Sequence, residues 1–221
     1  MKICTVKNCN AAHVAKGYCS KHYVQFKTYG KIRERTIHDP NEFIIDGDIC
    51  WVVLYNNKCI EVARAKFLTI YYEQIKNSEL KWHFDNGYAS AIWYVDNVKY
   101  HTFLHEAIMQ LSGQEVPDGK EVDHKDGNRL NCLDDNLRIC TRPENQQNRS
   151  KLSNNTSGHK GVSWSKSNKK WQAQITVSGK RIHLGYFDTK EDAARAYNVA
   201  AMKYYGEFAV LNTIEGDIKN T

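Results

Sequence analysis

Proline is scarce in this sequence, and long apolar runs are absent. The chain has three prolines in 221 residues, with 41% hydrophobic residues and five tryptophans, a composition that favours folded modules over a disordered chain. No apolar run approaches the roughly 18 residues that cross a membrane, and the N-terminus lacks the apolar region of a signal peptide. We therefore expect a soluble, intracellular (cytoplasmic) protein without a membrane partner.

The length and the charge indicate what kind of partner to expect. A chain of 221 residues exceeds a typical single domain, so two or three small modules are expected. The formal net charge is +6, and lysine and arginine are spread along the chain. This charge is compatible with a nucleic-acid ligand.

The seven cysteines predict thiols and metal ligands, because their number is odd and the expected compartment is reducing. Cys4, Cys9, Cys19 and His22 form a Cys₃His set, which suits a tetrahedral Zn²⁺. His13 is an alternative to His22, and reduced thiols without metal are the alternative to a zinc site. The other four cysteines occur singly and are expected to be buried thiols: Cys50, Cys59, Cys132 and Cys140.

The most informative part of the chain is an array of acidic, histidine and amide residues. It consists of Val122-Asp123-His124-Lys125-Asp126-Gly127-Asn128, then Asp135-Asn136-Leu137-Arg138, then Glu144-Asn145-Gln146-Gln147-Asn148. With the upstream segment Leu104-His105-Glu106-Ala107-Ile108-Met109, the array resembles the ββα-metal motif of HNH nucleases. The alternative to a nuclease motif is an ordinary hairpin around the Asp-Gly turn.

The resemblance implies a role for each matching residue. His124 would be the general base, since imidazole can be neutral near pH 7. Asp123 and Asn145 would hold Mg²⁺ or another divalent cation through oxygen ligands. Asn136 would brace the loop that carries the histidine. Asn148 is the alternative metal ligand. Asn145 is favoured because the separation of Asn145 from Asp123 resembles that in phage-type members.

Two arginines near the motif are further candidates. Arg138 and Arg142 would bind the scissile phosphate as charged donors, and a solvated surface role is the alternative. Asp123 and His124 are neighbours, so a regular strand would point them to opposite sides. The turn at Asp126-Gly127 is expected to bend the strand end so that both serve one site.

The segment before the motif is expected to be rich in β-strands. Alternating residues and turn pairs such as Asn86-Gly87 predict hairpins, with one helix over residues 65–76. The predicted strands are 43–45, 49–55, 59–62, 81–84, 88–94 and 98–102.

A polar linker at 150–158 precedes a third module of three short strands and a helix. In the middle strand apolar and polar residues alternate, so that one face of the sheet is polar. Thr189 is predicted to cap the helix. The runs Lys160-Gly161-Val162-Ser163-Trp164, Leu184-Gly185-Tyr186-Phe187-Asp188-Thr189 and Glu191-Asp192-Ala193-Ala194-Arg195-Ala196-Tyr197 resemble the AP2 (ERF-type) DNA-binding domain.

That resemblance implies a sheet placed in the major groove of duplex DNA, a docking mode that groove dimensions permit. The matching positions are Lys160, Ser163, Gln174, Thr176, Arg181 and His183, and the alternation adds Gln172. Ser163, Thr176 and His183 differ from the residues that plant members often carry, so the target sequence is not transferable. A solvated sheet face is the alternative.

Together these observations predict an α+β protein of three parts. They are a zinc-knuckle-like module with a basic linker (1–36), a β-rich segment with the HNH unit (41–150, motif 104–149), and an AP2-like module (158–213). We expect a metal-dependent, homing-type endonuclease of double-stranded DNA, acting as a monomer in a bacterial or phage-infected cell, without a small-molecule substrate. The rival is a DNA-binding regulator with an inactive HNH motif.

Overall fold

The N-terminal segment is compact around its cysteines. A computed structural model describes residues 2–6, 9–32, 35–36, 39–149 and 155–214; residues 150–154 of the predicted linker lie outside these ranges. Short bridges pair Ile3 with Ala12 and Ala15 with Tyr18. Helix α1, Ser20–Tyr29, begins immediately after Cys19 and ends at Gly30, whose φ of 69° is the left-handed value that favours glycine.

Two antiparallel three-stranded sheets follow. The first contains β1 (Phe43–Asp46), β2 (Ile49–Tyr55) and β3 (Glu61–Leu68), and the second contains β4 (Trp82–Asp85), β5 (Tyr88–Val95) and β6 (Val98–Phe103). The turn at Asn86-Gly87 has positive φ at both residues, as type I′ hairpins require. All six predicted strands are present.

The predicted helix over 65–76 is wrong at its N-terminal end. Ala63, Ala65 and Phe67 continue β3, and Ala65 and Phe67 pair with Val52 and Cys50 of β2. Ala65 and Phe67 are fully buried, so cross-strand packing outweighs the helix propensity of alanine. Helix α2, Tyr72–Asn77, begins only after a 3₁₀ turn at Thr69–Tyr71.

The motif segment folds as two strands and a helix. Helix α3 (Leu104–Leu111) leads into β7 (Lys120–His124), which pairs antiparallel with β8 (Leu137–Thr141), and helix α4 (Arg142–Gln147) follows directly. Thr141 and Glu144 form a reciprocal capping box at the start of α4. The cap fixes the direction in which α4 leaves the sheet.

One apolar core joins the two sheets to the motif segment. Phe67 and Trp82 from the sheets pack in a single cluster with Leu104, Ile108 and Leu137. Burying a side chain of this size stabilises the fold by about 1.5–3 kcal/mol. Strand β3 also holds the loop between β7 and β8, because Lys66 N–H donates to Leu130 O and Cys132 N–H donates to Lys66 O, both at 2.8 Å. The β-rich segment is therefore the support of the motif.

The C-terminal module has the predicted three strands and one helix. Strands β9 (Val162–Ser165), β10 (Lys170–Val177) and β11 (Lys180–Phe187) form a sheet with β10 in the centre, and helix α5 (Lys190–Tyr205) packs across it. Thr189 Oγ1 accepts a hydrogen bond from Asp192 N–H and caps the helix. Small residues let α5 approach closely: a Cβ on Gly161 would lie 2.0 Å from the Tyr197 ring.

Among the described residues, no helix combines the length and the apolar character that crossing a membrane requires.

Candidate functional site

Asp123 is the centre of a buried polar cluster in the motif segment. Strand pairing places it opposite Arg138, and Arg138 donates to Asp123 Oδ2 from Nε at 2.9 Å and from Nη2 at 2.7 Å. Only 6% of the carboxylate side chain and 10% of the arginine side chain are exposed. A buried carboxylate needs such a charged partner, because removing either one leaves an uncompensated charge.

The two candidate amides have different partners. Asn148 donates from Nδ2 to both oxygens of Asp123 at 3.0 Å and to the carbonyl of His124 at 2.7 Å. Asn145 donates from Nδ2 to Glu121 Oε2 at 2.7 Å. Within the described ranges, the Oδ1 atom of Asn145 accepts no hydrogen bond. Asn148 therefore contacts Asp123 through its NH₂ group, whereas Asn145 keeps its oxygen available.

His124 is buried beside a second histidine. Its ring lies 4.8 Å from the ring of His105 and 6.2 Å from that of Tyr88. Burial lowers the pKa of His124 to about 4, although Asp123 and Asp126 pull it upward. Burial and the neighbouring His124 lower the pKa of His105 to about 3. Both imidazoles are neutral near pH 7, the form in which a histidine can accept a proton.

The loop after His124 is held by Asn136. Asn136 Nδ2 donates to Asp126 Oδ1 at 2.9 Å and to Asn131 O at 2.8 Å, while its Oδ1 accepts from Asp126 N–H at 3.0 Å. The side chain is 8% exposed. Three hydrogen bonds across the loop restrict its backbone, and the strand end at His124 is held with it.

Asp123 and His124 face one open cavity of about 560 Å³. The motif supplies both amides, Asn145 and Asn148, to its wall. Three further lining residues are outside the predicted set: Tyr88, Arg129 and Arg149. Arg129 stacks on Tyr88 at 4.6 Å and donates to Asn86 O at 3.0 Å. The positions of the two arginines, directly after the motif's Asn128 and Asn148, are the signal that could have identified them.

The predicted zinc ligands lie together. The side-chain ligand atoms of Cys4, Cys9, Cys19 and His22 all lie within 4.8 Å of one another. Burial raises the pKa of the Cys4 thiol, but hydrogen bonds from the Cys19 backbone and the His22 ring outweigh it and lower that pKa to about 6. His13 is not part of the cluster, because its Nε2 accepts from Gly17 N–H at 2.8 Å. The cluster suits a tetrahedral soft cation.

Two residues predicted to contact DNA have partners inside the protein. Besides Asp123, Arg138 donates to Glu207 O at 2.8 Å and stacks on the Phe208 ring at 3.8 Å. Lys160 Nζ donates to Gln147 O at 2.5 Å, and burial lowers its pKa to about 8. Arg142 is exposed and forms no ion pair with a described residue.

The polar face of the C-terminal sheet is as predicted, with one addition. Strand pairing aligns Ser163 with Gln172, Gln174 with His183, and Thr176 with Arg181. A β-bulge between the Ala173 and Gln174 pairs shifts the register of β11, so that Tyr186 lies opposite Gln172. Its ring is 4.5 Å from that of His183. Strict alternation would assign Tyr186 to the opposite face, which is why it was missed.

Known proteins match both halves of this arrangement. The HNH endonuclease family model matches residues 103–147, and the AP2 domain model matches residues 157–207. Protein 3.8 of Escherichia phage T7 is 36% identical over 105 residues, which is 48% of this chain and 86% of the phage protein. The uncharacterized HNH endonuclease L560 of Acanthamoeba polyphaga mimivirus is 30% identical over 138 residues, 62% of this chain and 70% of that protein.

These similarities place the chain in the HNH endonuclease family, as a member that carries an AP2 domain. A solved structure is similar too, described as DNA binding and cleavage by the HNH homing endonuclease I-HmuI. The sequence identity is 22%, and the match covers 57% of this chain and 75% of the chain in that structure. The TM-score between the two structures is 0.29.

Proposed function

We propose that the protein is a metal-dependent, homing-type endonuclease that hydrolyses phosphodiester bonds in double-stranded DNA. The observation that carries this proposal is the shared cavity of Asp123, His124, Asn145 and Asn148. It combines a neutral imidazole, a buried carboxylate and the available amide oxygen of Asn145. Phosphodiester hydrolysis needs a base for water and neutralisation of charge on the phosphate.

The donor chemistry of the cavity fits a hard divalent cation such as Mg²⁺. Asp123 would bind it through a carboxylate oxygen, and Asn145 through the amide oxygen that has no donor among the described residues. When bound, the ion would neutralise charge that develops on the phosphate. Asn148 supports Asp123 instead, because its NH₂ group is directed at that carboxylate and at the His124 carbonyl.

The protein's own residues would carry out the proton transfer and the positioning. Neutral His124 accepts a proton from the attacking water at a ring nitrogen, and Asn136 holds the loop that follows it. Arg129 and Arg149 on the cavity wall, and exposed Arg142, would bind phosphate as charged donors. Of the three, Arg129 and Arg149 lie beside the proposed scissile position.

The AP2 domain would hold the enzyme on duplex DNA. Its polar sheet face would enter the major groove, a docking mode that β-elements can adopt, and tethering would raise the local concentration of DNA at the cavity. The contacts would come from Ser163, Gln172, Gln174, Thr176, Arg181, His183 and Tyr186. Arg138 and Lys160 donate hydrogen bonds within the protein and are left out of this set. Their DNA contacts stay predictions. We further propose that the enzyme acts as a monomer.

The test is cleavage of a mixed duplex pool with Mg²⁺, with and without EDTA, by wild type, His124→Ala and His101→Ala. His101 is an exposed histidine outside the cavity and serves as the matched control. We expect cuts that need the metal, persist in His101→Ala and vanish in His124→Ala. Retained DNA binding without cuts by any of the three proteins would favour the DNA-binding regulator with an inactive HNH motif.

We also propose that Cys4, Cys9, Cys19 and His22 bind one Zn²⁺, supported by the proximity of their ligand atoms. Elemental analysis of purified protein should find about one zinc per chain. Cys19→Ser should lose the metal, and the half-buried Cys59→Ser, outside the cluster, should retain it. Wild-type protein that contains no zinc after purification without chelators would contradict the assignment.

A further inference from the structure

Within the described residues, polar contacts at two places join the AP2 domain to the motif segment, and they include an ion pair of 3.7 Å between Arg138 Nη1 and Glu207 Oε2. One is the hydrogen bond from Lys160 Nζ to Gln147 O at the end of α4. The other is made by Arg138, whose Nη1 donates to Glu207 O while its guanidinium lies on the Phe208 ring at 3.8 Å. The remaining donors of that guanidinium, Nε and Nη2, go to Asp123. A single side chain therefore spans the 3₁₀ turn Gly206–Phe208 of one domain and the buried carboxylate of the other.

We propose that Arg138 is a positioning residue that couples the AP2 domain to the cleavage centre. Docking of the turn 206–208 orients the guanidinium, and the guanidinium orients the carboxylate of Asp123. This inference rests on the proposed function, because it assigns to Asp123 a role in cutting DNA. It makes the AP2 domain a structural part of the active centre in addition to a DNA tether.

The chemistry of arginine supports such a coupling. The guanidinium is planar and its N–H groups point in fixed directions, so the surface on which the plane rests determines where the donors point. Phe208 provides that surface on one side and Asp123 accepts the donors on the other. Because the arginine is 10% exposed and the carboxylate 6%, solvent and salt screen their interaction weakly.

Phe208 is the residue through which the coupling can be tested. It lies outside the cavity that holds His124 and outside the polar face of the sheet, so a change there reaches Asp123 through Arg138 and leaves the sheet face in place. An AP2 domain that serves only as a tether predicts no effect of Phe208 on the cleavage rate at saturating DNA. The coupling predicts a slower rate with unchanged affinity.

The experiment compares wild type, Phe208→Leu, Phe208→Tyr and Tyr204→Leu by single-turnover cleavage at saturating duplex DNA and by DNA affinity. Phe208→Leu keeps an apolar side chain but removes the ring face, and should slow cleavage by on the order of 3- to 10-fold, as expected for loss of a cation–π contact. Phe208→Tyr restores the ring and should cut at the wild-type rate. Tyr204→Leu removes an exposed aromatic ring near the same helix end and should match wild type.

Two outcomes would overturn the coupling. Phe208→Leu could cut as fast as wild type, or it could lose rate and DNA affinity by the same factor, which indicates damage to the AP2 domain as a whole. Wild type that binds DNA without cutting it would refute the proposed function instead.

A double-mutant cycle tests the connection without any cleavage. Asp123→Asn and Phe208→Leu are combined, and unfolding equilibrium constants are measured for the four proteins. Each residue contacts Arg138 from its own side, so the combined effect should depart from the product of the single effects by roughly twofold or more. Multiplicative effects within error would show that Arg138 does not connect the two residues, whether or not the protein cuts DNA.

Discussion

At the scale of single residues, the amides Asn145 and Asn148 have separable roles. Loss of Asn145 removes an oxygen ligand, so Asn145→Ala should raise the Mg²⁺ concentration for half-maximal cleavage by about tenfold or more. Gln146→Ala removes a neighbouring exposed amide outside the cavity and should leave the Mg²⁺ dependence unchanged. Titration of the cleavage rate with Mg²⁺ distinguishes the variants.

Asn148→Ala should act mainly on stability. It removes the amide donor of Asp123 Oδ1 and one of the two donors of the His124 carbonyl, while Arg138 still donates to Asp123 Oδ2 and Gly127 N–H to the carbonyl. The buried carboxylate oxygen that loses its donor should cost about 1–3 kcal/mol in the free energy of unfolding. If Asn148→Ala shifts the Mg²⁺ dependence and Asn145→Ala does not, the ligand assignment must be exchanged between the two amides.

The histidine pair predicts a loss of stability in acid. Burial lowers the pKa of His105 and of His124 to about 3 and about 4, below the ordinary value near 6.5. The unfolded chain therefore binds protons first as the pH falls. The neutral histidine pair makes its full contribution to the free energy of unfolding above pH 6.5. This contribution is lost progressively as the pH falls towards the pKa values of the two histidines in the folded protein.

Replacing one histidine of the pair should reduce this loss. Between pH 6.5 and 4, His105→Phe should lose less free energy of unfolding than wild type, because an apolar ring has no proton to gain. His101→Phe, an exposed position, should follow wild type. Denaturant unfolding at a series of pH values measures the difference, and equal slopes for His105→Phe and wild type would contradict the burial argument.

Arg138 shows what a linear sequence conceals at this scale. The motif predicted that Asp123 and His124 lie together, because both belong to one strand end. It predicted a phosphate-binding role for Arg138, since an arginine beside a nuclease motif can donate charged hydrogen bonds to a phosphate. Its contact with Glu207 and Phe208 joins positions about 70 residues apart, and local spacing carries no information about such a contact.

At the scale of elements, Gly161 controls how closely helix α5 approaches the sheet. A Cβ at this position would lie 2.0 Å from the Tyr197 ring and 2.7 Å from the carbonyl oxygen of Gln174. Gly179 has nearly the same φ, 76° against 75°, but open space around it. The two glycines therefore separate steric overlap from backbone strain.

Gly179→Ala should destabilise the AP2 domain by about 1 kcal/mol through its left-handed backbone alone. Gly161→Ala should cost a further 1–3 kcal/mol or so from overpacking against Tyr197. Urea unfolding followed by tryptophan fluorescence measures both. Equal costs for the two variants would mean that α5 moves away from the sheet without penalty.

Elements also show where pattern recognition succeeds and fails. Turn pairs such as Asn86-Gly87 predicted the hairpins correctly, because the preference of these residues for positive φ is local. Strand β3 was underestimated because Ala63 and Ala65 favour a helix locally, whereas β2 offers a pairing partner. Tyr186 is not among the predicted contacts, because a bulge shifts the register of the strand and alternation assumes none.

At the scale of the whole molecule, the proposal divides affinity and chemistry between two surfaces. The polar face of the AP2 sheet should determine how tightly duplex DNA is held, and the cavity around Asp123 and His124 should determine how fast it is cut. A variant on the sheet face should therefore change affinity and leave the rate at saturating DNA unchanged. A variant such as His124→Ala should do the reverse.

Arg181→Ala is the sharpest test of this division, because Arg181 lies on the polar face opposite Thr176. Loss of its contact should weaken DNA binding by about 1–3 kcal/mol, or roughly 5- to 150-fold. Lys203→Ala removes the same charge from an exposed position on α5 and should change affinity little, which separates a local contact from net charge. Affinity and single-turnover rates are measured at one fixed salt concentration, since phosphate contacts make binding salt-dependent. If both variants weaken binding equally, general charge holds the DNA and the sheet face does not.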